Sequence, residues 1–156
     1  DRLKRACMFS ALTGLRLGDV VKLEWSQIQK TENMGYFIRF TQSKTKGMET
    51  LPISEEAFEL LGEMKAPSEN IFENYDFRRD YRLLQNWIQA AGIRKKITFH
   101  NFRHTFATLQ LAEGTDIYTV SKLLGHKHVN TTQIYGKVID TTKTTAMKKI
   151  KLGIKN

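Results

Sequence analysis

The sequence holds a single cysteine, Cys7, so no disulfide can form within the chain and a zinc site built from cysteines is excluded. Cys7 stands among Ala6, Met8 and Phe9 and reads as core packing. No run approaches the roughly 20 apolar residues that a helical membrane span needs, and no charged-then-apolar leader opens the chain. A soluble, cytoplasmic protein is expected. Internal repeats and low-complexity tracts are also missing. Acidic residues are scarce near the C-terminal end: residues 117–156 contain eight lysines and one acid, Asp140, and so carry +7 of the chain's net +9. Charge concentrated in this way suits a polyanion, because neutralising phosphates releases counterions. A solvated lysine-rich tail has the same composition.

What remains is 156 residues, 40% hydrophobic and 26% charged, a size and balance that fit one globular domain. The chain opens directly into a helical pattern of Leu3, Cys7, Met8, Ala11 and Leu12 with no N-cap before it, which suggests a piece of a longer protein with a partner domain upstream. Gly14 is expected to end this helix, and a short amphipathic one follows from about Gly18, with Val20, Val21, Leu23 and Trp25. Three β-like runs come next, at about 25 to 30, 36 to 41 and 49 to 53, separated by turns at Asn33-Met34-Gly35 and Thr45-Lys46-Gly47. Beyond them the helical period returns. Ser54 can cap a helix with Ala57, Leu60, Leu61 and Met64 as its apolar stripe. Others are expected from about 76 to Gly92, from a Thr98 cap to near Gly114 and from a Thr115 cap to Gly125, with weaker stretches at about 130 to 138 and 141 to 152. The expected class is therefore a mostly helical domain with one small three-stranded antiparallel sheet (α+β).

Several polar clusters stand out. His100-Asn101-Phe102-Arg103-His104 opens a predicted helix, where the spacing puts His100, Arg103 and His104 on adjoining parts of one face. Two histidines four residues apart match a pair of zinc ligands. However, Asn101 stands where a metalloprotease helix needs Glu, and Arg103 sets a permanent cation beside the metal. A guanidinium between imidazoles suits an anion better, since its fork of donors matches phosphate oxygens. Thr13-Gly14-Leu15-Arg16-Leu17-Gly18-Asp19 places an arginine between two glycines, with Asp19 able to reach back to it; taken alone this is also an ordinary surface pair. Lys44 and Lys46 fall in or beside a predicted turn. Leu123-Leu124-Gly125-His126 ends a predicted helix, with Gly125 suited to the left-handed turn that presents His126. Tyr135 follows nine residues later.

In this order, these segments resemble the catalytic domain of the tyrosine recombinases, the integrases and Xer-type resolvases that break and rejoin DNA. The resemblance spans nearly the whole chain. It implies that Arg16 is the first catalytic arginine with Asp19 in support, that Lys44 is the general acid (Lys46 being the alternative), and that His100 and Arg103 form a His-x-x-Arg pair. It further implies His126 as the next active-site position and Tyr135 as nucleophile, and gives His104, Lys127 and His128 no catalytic part. Double-stranded DNA attachment sites are the implied partner, with a homotetramer assembled on two sites through the segment after Tyr135, which contains Lys143, Lys148, Lys149 and Lys151.

The residue types suit that chemistry. A phosphodiester repels nucleophiles, and its pentacoordinate transition state gathers charge on the non-bridging oxygens, so Arg16 and Arg103 can grip them while His100 and His126 add donors. The Tyr135 phenol, with an ordinary pKa of about 10, must lose its proton, and His100 is the expected acceptor. Lys44 is assigned to protonate the departing 5′-oxygen. The product is a 3′-phosphotyrosyl ester. Because that bond stores the phosphoester energy, rejoining is expected to need no ATP, metal or other cofactor. The rival readings are a type IB topoisomerase, which relaxes supercoils without exchanging partners, and a DNA-binding module that has lost the chemistry.

Overall fold

The computed structural model describes residues 2–41 and 47–135, and these divide into two compact units between Phe106 and Ala107. The first unit begins with helix α1 (Arg2–Thr13). Helical periodicity assigns Met8 to its apolar face, but the buried residues are Ala6, Cys7, Phe9, Ser10 and Thr13, and Met8 is 45% exposed. Phe9 accounts for the difference. Its ring is fully buried and meets Phe72 at a centroid distance of 5.6 Å, and burial of this larger aromatic surface sets the helix's rotation. Burial, with the Asp80 carboxylate nearby, pushes the Cys7 thiol up to about 12, so Cys7 packs and does not react.

Helix α2 (Leu17–Val20) is a single turn. The strand expected from about residue 25 starts later, because Glu24 and Gln27 close a capping box around a 3-10 turn at Trp25–Gln27, with the Glu24 N–H donating to Gln27 Oε1 at 2.9 Å. The sheet then runs β1 (Ile28–Thr31), β2 (Gly35–Thr41) and β3 (Met48–Pro52), antiparallel and in that order. Ile38 on β2 pairs with Ile28 on one side and Leu51 on the other and is fully buried. The turn expected at Thr45-Lys46-Gly47 lies, apart from Gly47, outside the described residues.

Ser54 caps α3 (Glu55–Glu59), its hydroxyl accepting from the Ala57 N–H at 3.1 Å. The helix is shorter than expected, and Met64 is 72% exposed rather than part of an apolar stripe. Arg5 donates to the Leu61 carbonyl at 3.1 Å and so satisfies an acceptor at the point where the helix stops. Helix α4 (Phe77–Ala90) is capped by Asp76, which accepts from the Arg79 N–H at 2.7 Å. Its buried face is Asp80, Leu84 and Ile88. Asp80 pairs with Arg2 at 2.5 Å and with Arg79 at 3.4 Å, which ties α1 to α4.

The division between the units falls within α5 (Phe99–Ala112). The second unit continues with α6 (Ile117–Leu123) and a 3-10 helix at Val129–Tyr135, in place of the expected helical stretch at about 130 to 138. The cap of α6 is Asp116 rather than Thr115. Its carboxylate accepts from both the N–H and the hydroxyl of Thr119, at 2.9 and 2.6 Å, whereas the Thr115 hydroxyl bonds Gln110. Leu111, Val120, Leu124 and Thr132 are buried here. The stretch expected at 141 to 152 lies outside the described residues. None of the described helices is long and apolar enough to cross a membrane.

Candidate active site

The site is built first from the end of α1. The Thr13 hydroxyl donates to the Phe9 carbonyl at 2.7 Å and that of Ser10 to the Leu15 carbonyl at 2.8 Å. Gly14 takes a φ of 71°, which a side chain would strain. The Arg103 guanidinium donates to the carbonyl of this braced turn at 2.5 Å. Arg103 is only 4% exposed, so the bond holds a buried cation in place. Arg16 follows in extended conformation as the residue before α2, and its carbonyl accepts the N–H groups of Asp19 and Val20, each at 2.9 Å. Asp19 is buried in that same turn.

The start of α5 is fixed from several sides. Asn101 Oδ1 accepts from the Thr98 N–H and hydroxyl at 2.7 and 2.9 Å, so the side chain inside the helix closes the cap that Thr98 was expected to make alone. Gln85 on α4 donates to the Ile97 carbonyl at 2.6 Å, and Trp87 stacks on Phe102 at 6.2 Å with planes 6° apart. With Asn101 and Phe102 committed to these contacts, His100 and Arg103 line a cleft of about 250 Å³ together with Arg16, Thr98, Tyr75 and Tyr81. Asp80 also lines it, but Arg2 and Arg79 meet its charge. Loss of solvent around the ring, followed by the nearby His104, Arg103 and Arg16, lowers the His100 imidazole below its ordinary value. Both guanidiniums therefore lie close enough to His100 to oppose its protonation.

In the second unit, Gly125 takes a φ of 59° and donates its N–H to the Lys122 carbonyl at 2.8 Å, while the His126 N–H bonds the Ser121 carbonyl at 3.0 Å. These two bonds form a Schellman closure of α6, and they set the direction in which His126 leaves the helix. The His126 ring nitrogen Nδ1 lies 2.9 Å from the hydroxyl of Thr132, a fully buried residue. Tyr135 ends the 3-10 helix and is half-buried.

Of the residues expected to act, the structure brings Arg16, His100 and Arg103 to one cleft in the first unit and places His126 and Tyr135 in the second. Lys44 and Lys46 lie outside the described residues. Among the described residues, no group of three His, Cys, Asp or Glu gathers to hold a metal ion around His100 and His104 or elsewhere. The sequence reading missed three participants. Gly14 acts through its carbonyl, which leaves no mark in a sequence. Asn101 reverses a familiar cap, and its place three residues after Thr98 was a usable sign. Thr132 is one of several polar residues between His126 and Tyr135, and nothing in the sequence distinguishes it from Thr131.

A sequence profile described as the phage integrase family matches residues 2–141. The chain belongs to that family. This integrase-family chain is 29% identical over 148 residues to a tyrosine recombinase of Pseudothermotoga lettingae, covering 88% of this chain and 50% of that protein. The catalytic domain of bacteriophage HP1 integrase superposes with a TM-score of 0.70 at 27% identity, covering 95% of this chain and 82% of that one. XerH site-specific recombinase, solved in a post-cleavage complex with its palindromic difH substrate, has a similar fold, with a TM-score of 0.73 at 23% identity over 95% of this chain and 45% of that one. The mostly helical architecture with its three-stranded antiparallel sheet is thus that of tyrosine recombinase catalytic domains. The integrase-family chain spans about half the length of the curated relatives it matches.

Proposed function

We propose that this chain is the catalytic domain of a site-specific DNA recombinase that cuts and rejoins strands through a covalent 3′-phosphotyrosine. The observation that carries the reading is the shared cleft of Arg16, His100 and Arg103, two guanidiniums and an imidazole drawn from separate segments of an integrase-family chain. In this reading Arg16 and Arg103 hold the non-bridging oxygens of one phosphodiester, where donors fixed in advance stabilise the added charge of the transition state. Arg103 commits one donor to Gly14, and since a guanidinium carries five, that bond does not by itself use up its capacity to meet a phosphate. Asp19 supports Arg16. His100 takes the proton of Tyr135 as its oxygen attacks phosphorus, the 5′-oxygen departs with a proton from Lys44, and His126 donates to the phosphate. The reverse attack by a 5′-hydroxyl restores the diester, with no high-energy cofactor consumed.

The partner in this reading is duplex DNA. Support comes from the XerH complex, whose bound molecule is its difH substrate, and from the +7 charge of residues 117–156. We extend the proposal to a further DNA-binding domain outside these residues and to a homotetramer on two DNA sites, joined through the segment that follows Tyr135.

The test is a nicked suicide duplex incubated with the full-length protein in EDTA. A covalent adduct should form, mapping should place it on Tyr135, and Tyr135→Phe should abolish it while DNA binding survives. An adduct that persists in the Phe variant overturns the nucleophile. Supercoil relaxation by a protein that never exchanges strands between two sites favours a topoisomerase instead.

A further inference from the structure

One turn beyond His100, α5 carries a second imidazole that the proposed chemistry leaves unused. His104 follows His100 by four positions, which stacks the two side chains on one helix face. Their ring centroids are 4.4 Å apart and their planes cross at 84°, so one ring presents its edge to the other. His104 is half-buried and His100 is exposed, which makes His104 the more confined partner. A side chain that meets a neighbour in this way loses rotamers, because swinging about χ1 drives ring into ring. His104 does not line the cleft itself, whereas His100 does.

We propose that His104 is a positioning residue for His100, its ring fixing the orientation in which His100 exchanges a proton at the phosphate held in the cleft. The inference rests on the reading of Arg16, His100 and Arg103 as a phosphodiester site. It gives a purpose to a residue that otherwise has none in the reaction, and it explains why an exposed ring is nonetheless held against the cleft.

The electrostatic surroundings add a consequence that a purely structural contact lacks. The groups acting on His100 are His104 and Arg103 from α5 and Arg16 from the entry to α2. On the α4 side of the cleft stand Asp80, Tyr81 and the preceding Tyr75, with the Asp80 charge met by Arg2 and Arg79. Partial desolvation and then His104 head the causes that hold His100 below the ordinary imidazole value. Removing the His104 imidazole relieves the second of these, its electrostatic opposition, so His100 binds a proton more readily. A protonated His100 cannot accept the Tyr135 proton. The acid limb of the cleavage rate therefore moves to higher pH.

The experiment measures single-turnover cleavage of the suicide duplex by the full-length protein across about pH 5 to 9, the range that brackets imidazole titration. It compares wild type with His104→Ala and His104→Phe. The Ala variant should bind DNA as wild type does but cleave roughly 3- to 10-fold more slowly at neutral pH, a fraction of the ~10²- to 10⁴-fold that a positioned acid–base group supplies. The Phe variant restores a ring without a titrating nitrogen. It should recover most of the neutral-pH rate and keep the displaced acid limb. Wild-type rates and an unmoved acid limb in both variants overturn the inference while leaving the recombinase reading intact. Absence of any adduct with wild type sinks the recombinase reading, and this inference with it. Should His104→Ala melt at a much lower temperature, the Phe variant decides: a loss of rate with no change in pH profile means that His104 only supports the fold.

Discussion

Arg103 and Gly14 are separated by 89 positions in the chain and joined by a 2.5 Å hydrogen bond from guanidinium to carbonyl. Gly14 precedes Arg16 by two residues, so this bond also fixes how far apart the two cleft arginines stand. One donor thus sets the geometry of the pair, a role distinct from the phosphate grip proposed for the same guanidinium.

Arg103→Lys should uncouple these roles. Lysine keeps the charge but has a single ammonium, which cannot hold the Gly14 carbonyl and two phosphate oxygens in the same fixed plane. We expect suicide-substrate cleavage to fall about 100- to 1000-fold, the loss typical of one oxyanion donor. Loss of the buried bond should also lower stability by about 1.5 to 3 kcal/mol, as for a hydrogen bond to a charged group. Quench-flow kinetics and urea unfolding check the two effects separately, and unchanged cleavage refutes the assigned role.

Thr132→Val should act through His126. The exchange removes a hydroxyl 2.9 Å from the imidazole while keeping the β-branched shape of a fully buried residue. His126 then loses a hydrogen bond that helps to fix its ring and tautomer. The cleavage rate should fall by roughly 10-fold, less than the ~100- to 1000-fold that losing a whole oxyanion donor costs, and Thr132→Ser should restore it. A Val variant as active as wild type means that the bond does not orient His126.

Asp80→Asn should weaken the first unit. Burial alone raises the Asp80 carboxyl, but the Asp76 N–H, Arg79 and Arg2 outweigh it and hold the group below the usual carboxylate range. The resulting stabilisation is complete above the unfolded value of about 3.9 and is lost as pH falls through the lower folded one. Asn forfeits it at neutral pH. The cost should be about 3 kcal/mol, the lower end for a broken buried pair because Arg2 and Arg79 keep contact with water. Equal melting temperatures for the two proteins at neutral pH contradict this account.

The two α5 histidines give stability the same direction with pH, by a different route. Desolvation followed by His104, Arg103 and Arg16 lowers His100, and desolvation followed by Arg103 lowers His104. The unfolded chain therefore binds these protons first. Stability should be full above the unfolded imidazole value of about 6.5 and decline as pH falls through it toward the folded values. Urea midpoints at mildly acid and mildly alkaline pH measure the slope, and a double His100→Gln, His104→Gln variant should flatten it.

How far the sequence reached can be judged residue by residue. Element types, the order of the three strands, the Ser54 cap and the terminating role of Gly125 followed from propensity, alternation and turn chemistry, all of which act over a few neighbouring residues. Boundaries moved where a longer-range contact intervened. Arg5 satisfies carbonyls where α3 stops, and Asp116 outcompeted Thr115 at α6 because a carboxylate accepts two bonds from Thr119 at once.

The chain's own order of residues thus determined the secondary structure, the excess of positive charge and the identity of the groups able to meet a phosphate, because each depends on residue type and local spacing. Which side of α1 is buried, and the meeting of Arg16 with Arg103 beside His100, were decided only when distant segments packed together. Phe9 found Phe72, and Arg103 found the Gly14 carbonyl. Such contacts depend on the shape and direction of surfaces remote in sequence. A backbone carbonyl, present at every position, announces nothing until a fold points it at a cation.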